Sequence, residues 1–542
     1  MSTPRGLRPF VRVGCLAAYA AVTFSSFPHP VGGVVIDLGL VIAWLGPALL
    51  ILGISGLSPR SAALYAFFAS WLAHSAILHW LYVVTVTYGH APAVVGVLAP
   101  VAVALYPAFI TAGFAASWAW WWQRGGRSPF AAAVLWTAFD YTRSFVLTGF
   151  PWATLGYSQH ENGLLLGIAS GTGVYGLSFV VFLAGAALAL AVLAFRAGSR
   201  VPVSCWAALV AVVLLHGVGY AMRPAKAGPG AQTIRVAALQ GNISQGEKWS
   251  AEAVAGTYEI YETLSREAAH AGAQLIVWPE TALPQAIGQG EVPLRMAQLA
   301  KETGAVFVVG AVGVEVASAD SKAPLLFYDS AFGFAPDGRA FTRYDKSHLV
   351  PFGEYVPFRD LLGGFVGGIA TGIAPNDVTE GPGPRTFVIP EPLAPLEGGR
   401  GSGARFQATG TNGFRVGAPI CYELLFPDLV RRFVGKGAGL LLALTNDAWY
   451  GRTGAPYQFL AITALRSAET GVYTVRAANS GISAIIDSAG RVKEKLPIFV
   501  RGLLVADVPL RDPEKSPTLY VRYGDVFALA CTGWALAAGF FV

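Results

Sequence analysis

The sequence predicts a helical bundle of about eight membrane spans joined to an α/β domain outside the bilayer. Three observations carry this prediction. The 542-residue chain is 54% hydrophobic and 13% charged, with a mean hydropathy of +0.51, which is too apolar for one soluble globule. The apolar excess is uneven: long uncharged runs fill residues 1–222 and 523–542, whereas residues 231–515 hold most of the acids and bases. Strand and helix patterns alternate through that charged portion, the signature of helices covering sheets.

A spanning helix needs about 20 mostly apolar residues. Runs near 10–27, 33–55, 61–84, 92–122, 128–147, 164–195, 202–221 and 523–542 have that character. Arg5, Arg8 and Arg12, then Arg60, then Arg124 and Arg127, then Arg196 and Arg200 mark every second connection, while 28–32, 85–91 and 148–163 carry no basic residue. Since cytoplasmic loops collect Lys and Arg, the N-terminus is expected in the cytoplasm. Seven crossings then deliver residues 223–515 to the outer face, and the eighth run returns inward. The expected parts are a seven-helix membrane domain (1–222), an extracytoplasmic catalytic domain (223–515) and a C-terminal transmembrane helix (516–542), in a multi-pass protein of the cytoplasmic (inner) membrane. Arg223 and Lys226 fall on the outer side and break the pattern mildly. The first run is expected to be retained, because SSFPHP is a poor small-residue cleavage site.

A net charge of +6 could point to nucleic acid, but no block of five or six basic residues occurs and no aromatic interleaving accompanies the charges. Of the four cysteines, Cys15, Cys205 and Cys531 lie in apolar runs and read as small buried hydrophobes. No CxxC or His/Cys cluster predicts a metal. Cys421, in GAPICYELLF, stands alone in the outer domain and so has no disulfide partner there.

In that domain TIRVAALQGN (233–242), AQLIVWP (273–279), AVFVVGAVG (305–313), FRVGAPI (414–420), GLLLALTND (439–447) and VYTVRAA read as strands, with helical spacing at 250–271, 422–434 and 456–471. FYDSAFGFAPDGRAFTRYDK reads as a hairpin around Asp-Gly, and IIDSAGRV as a second. The stretch 358–384 is apolar yet Gly-rich and without period, and is expected to form a lid at the bilayer surface. Residues 391–405 read as a surface loop.

WPET with Glu280, YDKSHLVPFGE with Lys346, and ICYE with Cys421 resemble, in order and local sequence, the Glu-Lys-Cys set of the nitrilase (carbon-nitrogen hydrolase) superfamily. HWLYVVTVTYG (79–89), TGFPWATLGYSQ (148–159), QGNISQGEKW (240–249) and LTNDAWYG (444–451) extend the resemblance to its membrane-embedded branch, the apolipoprotein N-acyltransferases. The resemblance implies a four-layer αββα sandwich. It also implies acyl transfer from a membrane phospholipid to the amino-terminal diacylglyceryl-cysteine of an apolipoprotein.

The residue types support such chemistry by themselves. A free thiol has a pKa near about 8.5, so it needs a base or a neighbouring cation to become a nucleophile at neutral pH. Glu280 is assigned as general base. Lys346, with a backbone N–H near Tyr422, is assigned to the oxyanion of the tetrahedral intermediate. Glu354 and Glu423 are expected to orient Lys346 and keep it charged. A thioester on Cys421 lets two bulky lipid-bearing substrates use one site in turn, with ping-pong kinetics. No cofactor is required, and a monomer is expected.

Trp249, Trp152, Phe358 and Leu362 are candidate substrate contacts. Asp140 and Arg143 are expected to pair three residues apart on a helix. Asn446, Gln458, Arg466, Glu469 and Arg476 are expected in polar networks beneath the site. Against the family pattern, Asp329 stands where asparagine is usual, and Phe459 follows Gln458 where histidine is usual; neither is expected to touch the triad. Two other functional classes compete: a membrane-tethered amidase or nitrilase using water as second nucleophile, and a transporter or receptor with an outer binding domain. Family-like polar loops between the spans favour the transferase, because a mere anchor needs one helix.

Overall fold

A computed structural model describes residues 7–224, 232–244, 251–283, 285–288, 290–317, 325–357, 377–390, 413–512 and 516–539. Helices dominate up to Ala221. Two of them begin alike, with a serine cap before proline: Ser58 Oγ accepts from Ser61 N at 3.2 Å ahead of Pro59–Ile77, and Ser128 Oγ accepts from Ala131 N at 3.4 Å ahead of Pro129–Thr142. Proline suits the first helical turn because its missing N–H has no partner to lose there.

Three described helical stretches are long and apolar enough to cross a membrane: Ala93–Gln123, Val174–Arg196 and Val203–Ala221. The helices Pro9–Ser25, Leu45–Ile54 and Val526–Ala537 are apolar but shorter. The apolar runs also hold more than straight helix. The one at 33–55 overlaps a hairpin, β1 (His29–Val31) and β2 (Val34–Ile36), before its helix begins. The one at 61–84 leaves α-helix after Ile77 and continues into a π-helical segment, Val83–Tyr88.

The α/β part of the chain is built on two sheets. The first runs β15 (Gly502–Pro509), β3 (Thr233–Gln240), β4 (Leu275–Trp278), β6 (Val306–Val316), β7 (Leu325–Phe334), β8 (Ala340–Asp345), with β5 (Ala286–Gly288) pairing β6. The second runs β14 (Val492–Lys495), β13 (Ala484–Ile486), β12 (Tyr473–Ala478), β11 (Leu440–Thr445), β10 (Gly413–Gly417), β9 (Thr386–Pro390). Each has a parallel centre, β3-β4-β6 and β10-β11-β12, flanked by antiparallel strands. The sequence reading lacked β5, β9 and β15.

Alternation along the central strands explains the layers. Val236, Ala238, Leu275, Val277, Val306 and Val308 point into the core shared with the second sheet. Their neighbours Ala237, Leu239, Ile276, Trp278, Phe307 and Val309 pack under the helices Ala251–His270 and Leu294–Thr303. Helices Pro427–Gly435 and Ala455–Thr470 cover the other side, which completes an αββα sandwich. In Ala455–Thr470 every residue except Tyr457 is buried, because the helix lies between its own sheet and the membrane bundle.

Polar contacts cross that junction. Trp152 Nε1 donates to Gln458 Oε1 at 2.8 Å, the Val174 amide to Glu469 Oε1 at 2.8 Å, and Arg466 Nη2 to the Tyr157 hydroxyl at 3.1 Å. Within the bundle Arg143 pairs with Asp140 at 3.4 Å and also donates to the Trp152 and Ala153 carbonyls, while Ser178 Oγ donates to Asp140 at 2.7 Å.

Candidate active site

Glu280, Lys346 and Cys421 come together where strands end. Glu280 follows β4, Lys346 follows β8, and Cys421 follows β10. In open α/β sheets the carboxyl ends of parallel strands are where ligands bind, because the chain leaves the sheet there and side chains converge. Gly310 on β6 lets the Glu280 turn approach: a Cβ at that position would lie 2.2 Å from Pro279 O and 2.7 Å from Glu280 Cα. Cys421 sits at φ +45°, in the left-handed region, at the start of the 3₁₀ turn Cys421–Leu425. A non-glycine residue held there costs on the order of 1–3 kcal/mol, so its surroundings must enforce the turn.

Glu423 enforces it. Its carboxylate accepts from Ile420 N at 2.8 Å, Ser347 N at 2.7 Å, Ser347 Oγ at 3.0 Å and Tyr344 OH at 2.5 Å. Expected to orient Lys346 directly, Glu423 instead clamps the residue next to the lysine onto the cysteine turn. Glu354 touches the ammonium, at 2.5 Å from Lys346 Nζ, and accepts from Val350 N at 2.8 Å. Tyr422 OH donates to Gly149 O at 3.2 Å, tying the same turn to the membrane loop TGFPW.

Lys346 Nζ lies 3.4 Å from Glu280, 3.3 Å from Asp329 and 2.5 Å from Glu354. This corrects the expectation that Asp329 stands away from the triad. Lys346 N donates to Asp329 O at 2.8 Å, and Ser330 pairs with Asp345 on the β7–β8 ladder, so the two residues face each other across the hairpin. The three carboxylates could in principle hold a metal ion, but the Lys346 ammonium is already the cation among them.

Burial works against that ammonium, yet Glu354, Glu280 and Asp329 outweigh it and hold its pKa well above the usual lysine range. Burial, then the Glu280 charge, push the Cys421 thiol well above its usual range, against the pull of Lys346. Cys421 is therefore a neutral thiol at rest, first because it is buried and then because Glu280 faces it. Glu280 acts on the thiol by charge and hydrogen bonding, and its buried Oε2 has no hydrogen-bond partner among the described residues.

Residues the sequence reading did not single out complete the walls. Tyr450 is buried within electrostatic reach of Cys421, and Trp80 lies edge-on to Tyr450 at 5.0 Å between centroids. Trp152 is 4.8 Å from Trp80 and 5.8 Å from Phe459, so it belongs to an aromatic layer between bundle and site. His348 packs on Phe426 at 3.9 Å and on Tyr422 at 5.8 Å. The signal for Tyr450 and Trp80 was their place inside two of the quoted motifs. Trp249, Phe358 and Leu362 lie outside the described residues, as do most of the expected lid and the 391–405 loop. Where the chain re-enters at 377–381 it docks on the site, with Val378 N on Glu354 O, Thr379 N on Phe327 O and Gly381 N on Lys346 O at 2.8, 2.6 and 2.8 Å.

The fold and these converging side chains define a carbon-nitrogen hydrolase domain carried on a helical membrane region. Residues 235–516 match the carbon-nitrogen hydrolase family model, and residues 20–187 match that of the apolipoprotein N-acyltransferase N-terminal domain. The chain is 37% identical over 505 residues to an apolipoprotein N-acyltransferase of Geobacter metallireducens, covering 91% of this chain and 89% of that one. One from Nitrosomonas europaea is 33% identical over 494 residues, covering 89% and 88%. Among solved structures, an amidase from Nesterenkonia is 17% identical, covers 53% of this chain and 93% of its own, and has a TM-score of 0.34. The chain belongs to the apolipoprotein N-acyltransferase family.

Proposed function

We propose that this enzyme takes an acyl chain from a membrane phospholipid onto Cys421 and passes it to the N-terminal amine of the diacylglyceryl-cysteine of an apolipoprotein. Family membership supports N-acylation of lipoproteins as the overall reaction. The observation that carries the mechanism is the Glu280–Lys346 contact at 3.4 Å beside a buried, protonated thiol.

In the first half-reaction Glu280 takes the Cys421 proton as sulfur attacks the ester carbonyl. Lys346 and a backbone N–H near Tyr422 meet the oxyanion. The intermediate collapses, the glyceryl oxygen leaves with the proton from Glu280, and a lysophospholipid departs. In the second half the acceptor amine attacks the thioester, Glu280 takes the amine proton, and the leaving sulfur recovers it. Glu354 keeps the lysine placed and charged, and Glu423 holds the cysteine turn.

The apolar runs and the alternation of arginines support eight spans, with residues 1–222 as a seven-helix membrane domain, 223–515 outside the cytoplasmic membrane and 516–542 as the last span. Assignment of Trp249, Phe358 and Leu362 to substrate contact, and of a monomer, rests on the sequence alone. Trp152 contributes through packing and its bond to Gln458.

Intact mass of the purified chain after mixing with phospholipid tests the reading. An acyl-sized increment on Cys421 that an amine-terminated lipopeptide discharges is the expected result. An increment lost to water alone would make the enzyme an amidase-like hydrolase instead.

A further inference from the structure

Four ionisable groups meet in this site with unbalanced charge. Glu280, Asp329 and Glu354 place carboxylate oxygens within 4.8 Å of one another. They surround one ammonium, and the four side chains are 0% to 17% exposed. Three anions on one cation leave two uncompensated charges out of water, and carboxylates so close do not all stay ionised. The contacts indicate which one yields. Burial raises the Glu354 carboxyl, but the ammonium at 2.5 Å and Val350 N both favour its ionised form. Glu280 has to be ionised to receive the thiol proton. Asp329 reaches the ammonium through Oδ2 at 3.3 Å, while its buried Oδ1 meets no donor, and neither does Glu280 Oε2. One proton shared by the two carboxyls supplies a donor between them.

We propose that Asp329 is the proton-bearing partner of Glu280: a positioning residue on β7 whose carboxylic acid donates to the Glu280 carboxylate, steadies it towards the thiol and leaves Lys346 free for the oxyanion. The inference rests on the roles given above to Glu280, Lys346 and Cys421. Burial raises the Asp329 carboxyl, against the pull of Lys346 and with a further push from the Glu280 charge, to about 8. The groups facing the pair are Lys346 and Glu354 from beyond β8, and Cys421 and Tyr450 from the second sheet. As pH rises past that value Asp329 becomes a third anion on Lys346, the donor to Glu280 is lost, and acylation slows.

The test is the rate of acyl-enzyme formation by the full chain in detergent with one defined phospholipid, followed by intact mass from pH about 6 to about 10. The wild-type rate is expected to fall about tenfold per pH unit above the transition. In Asp329→Asn, which keeps a donor but cannot ionise, that fall is expected to be absent. Superimposable profiles would overturn the proposal. A measurement on the wild type alone guards against a misfolded variant: with ¹³C-labelled aspartate, the infrared C=O band of a protonated carboxyl must be present at neutral pH and vanish across the same transition. Its absence at neutral pH sinks the idea equally. Cys421→Ala separates the two levels. Acylation of that variant would overturn the nucleophile and this proposal with it, whereas unchanged profiles in chains acylated only on Cys421 overturn the role of Asp329 alone.

Discussion

Two sets of buried charge in the α/β domain follow opposite plans. Arg476 Nη2 meets both Asp447 oxygens at 3.0 and 2.8 Å, and Arg466 meets Glu469 at 3.2 Å, each cation with one anion and every side chain 0% exposed. At the strand ends one ammonium faces three carboxylates and a thiol. A one-to-one pair carries no net charge and holds elements together, although burial raises the Glu469 carboxyl to about 7 against the pull of Arg466. A mismatched set contains groups whose charge depends on the neighbours, which proton transfer requires. The difference separates scaffold from chemistry.

The comparison can be broken at several points. Replacing Cys421 by Ala leaves the cage intact and removes its nucleophile; transfer to a lipopeptide should fall to background, by more than about 10⁴-fold. Arg466→Met strands Glu469, and thermal unfolding in detergent should show a loss of about 3–5 kcal/mol. The rate per folded molecule should hold, and a parallel loss of rate would place this pair in the chemistry. Lys346→Met should lower transfer by about 10²- to 10³-fold, with the chain still folded because the carboxyls can take up protons. Trp152→Phe removes the donor to Gln458 and should cost about 1 kcal/mol of stability. A large loss of rate in that variant would move Trp152 from packing to substrate contact.

Much of this was legible before any coordinates. The two-part organisation follows from where the charges lie, and the three residues that meet at the strand ends stood in motifs of distinctive sequence. The strands β5, β9 and β15 were not legible, since three to eight residues without clean alternation give little period to read. Asp329 was missed for a different reason. The Asp337-Gly338 turn was recognised, and counting outwards from it sets Asp329 opposite Lys346; the error lay in weighing Asp329 as a lone difference rather than as a cross-strand neighbour. Glu423 was singled out but given the wrong contact, because its partners Tyr344 and Ser347 are 79 and 76 residues away.

The Tyr422 hydroxyl bond to Gly149 has a practical consequence. The residue beside Cys421 is braced by a loop of the helical membrane region, not only by its own sheet. An excised α/β fragment would keep Glu280, Lys346 and Cys421 and lose an outer strut of the turn that presents the sulfur. The bundle is thus a component of the reaction centre as much as its mooring.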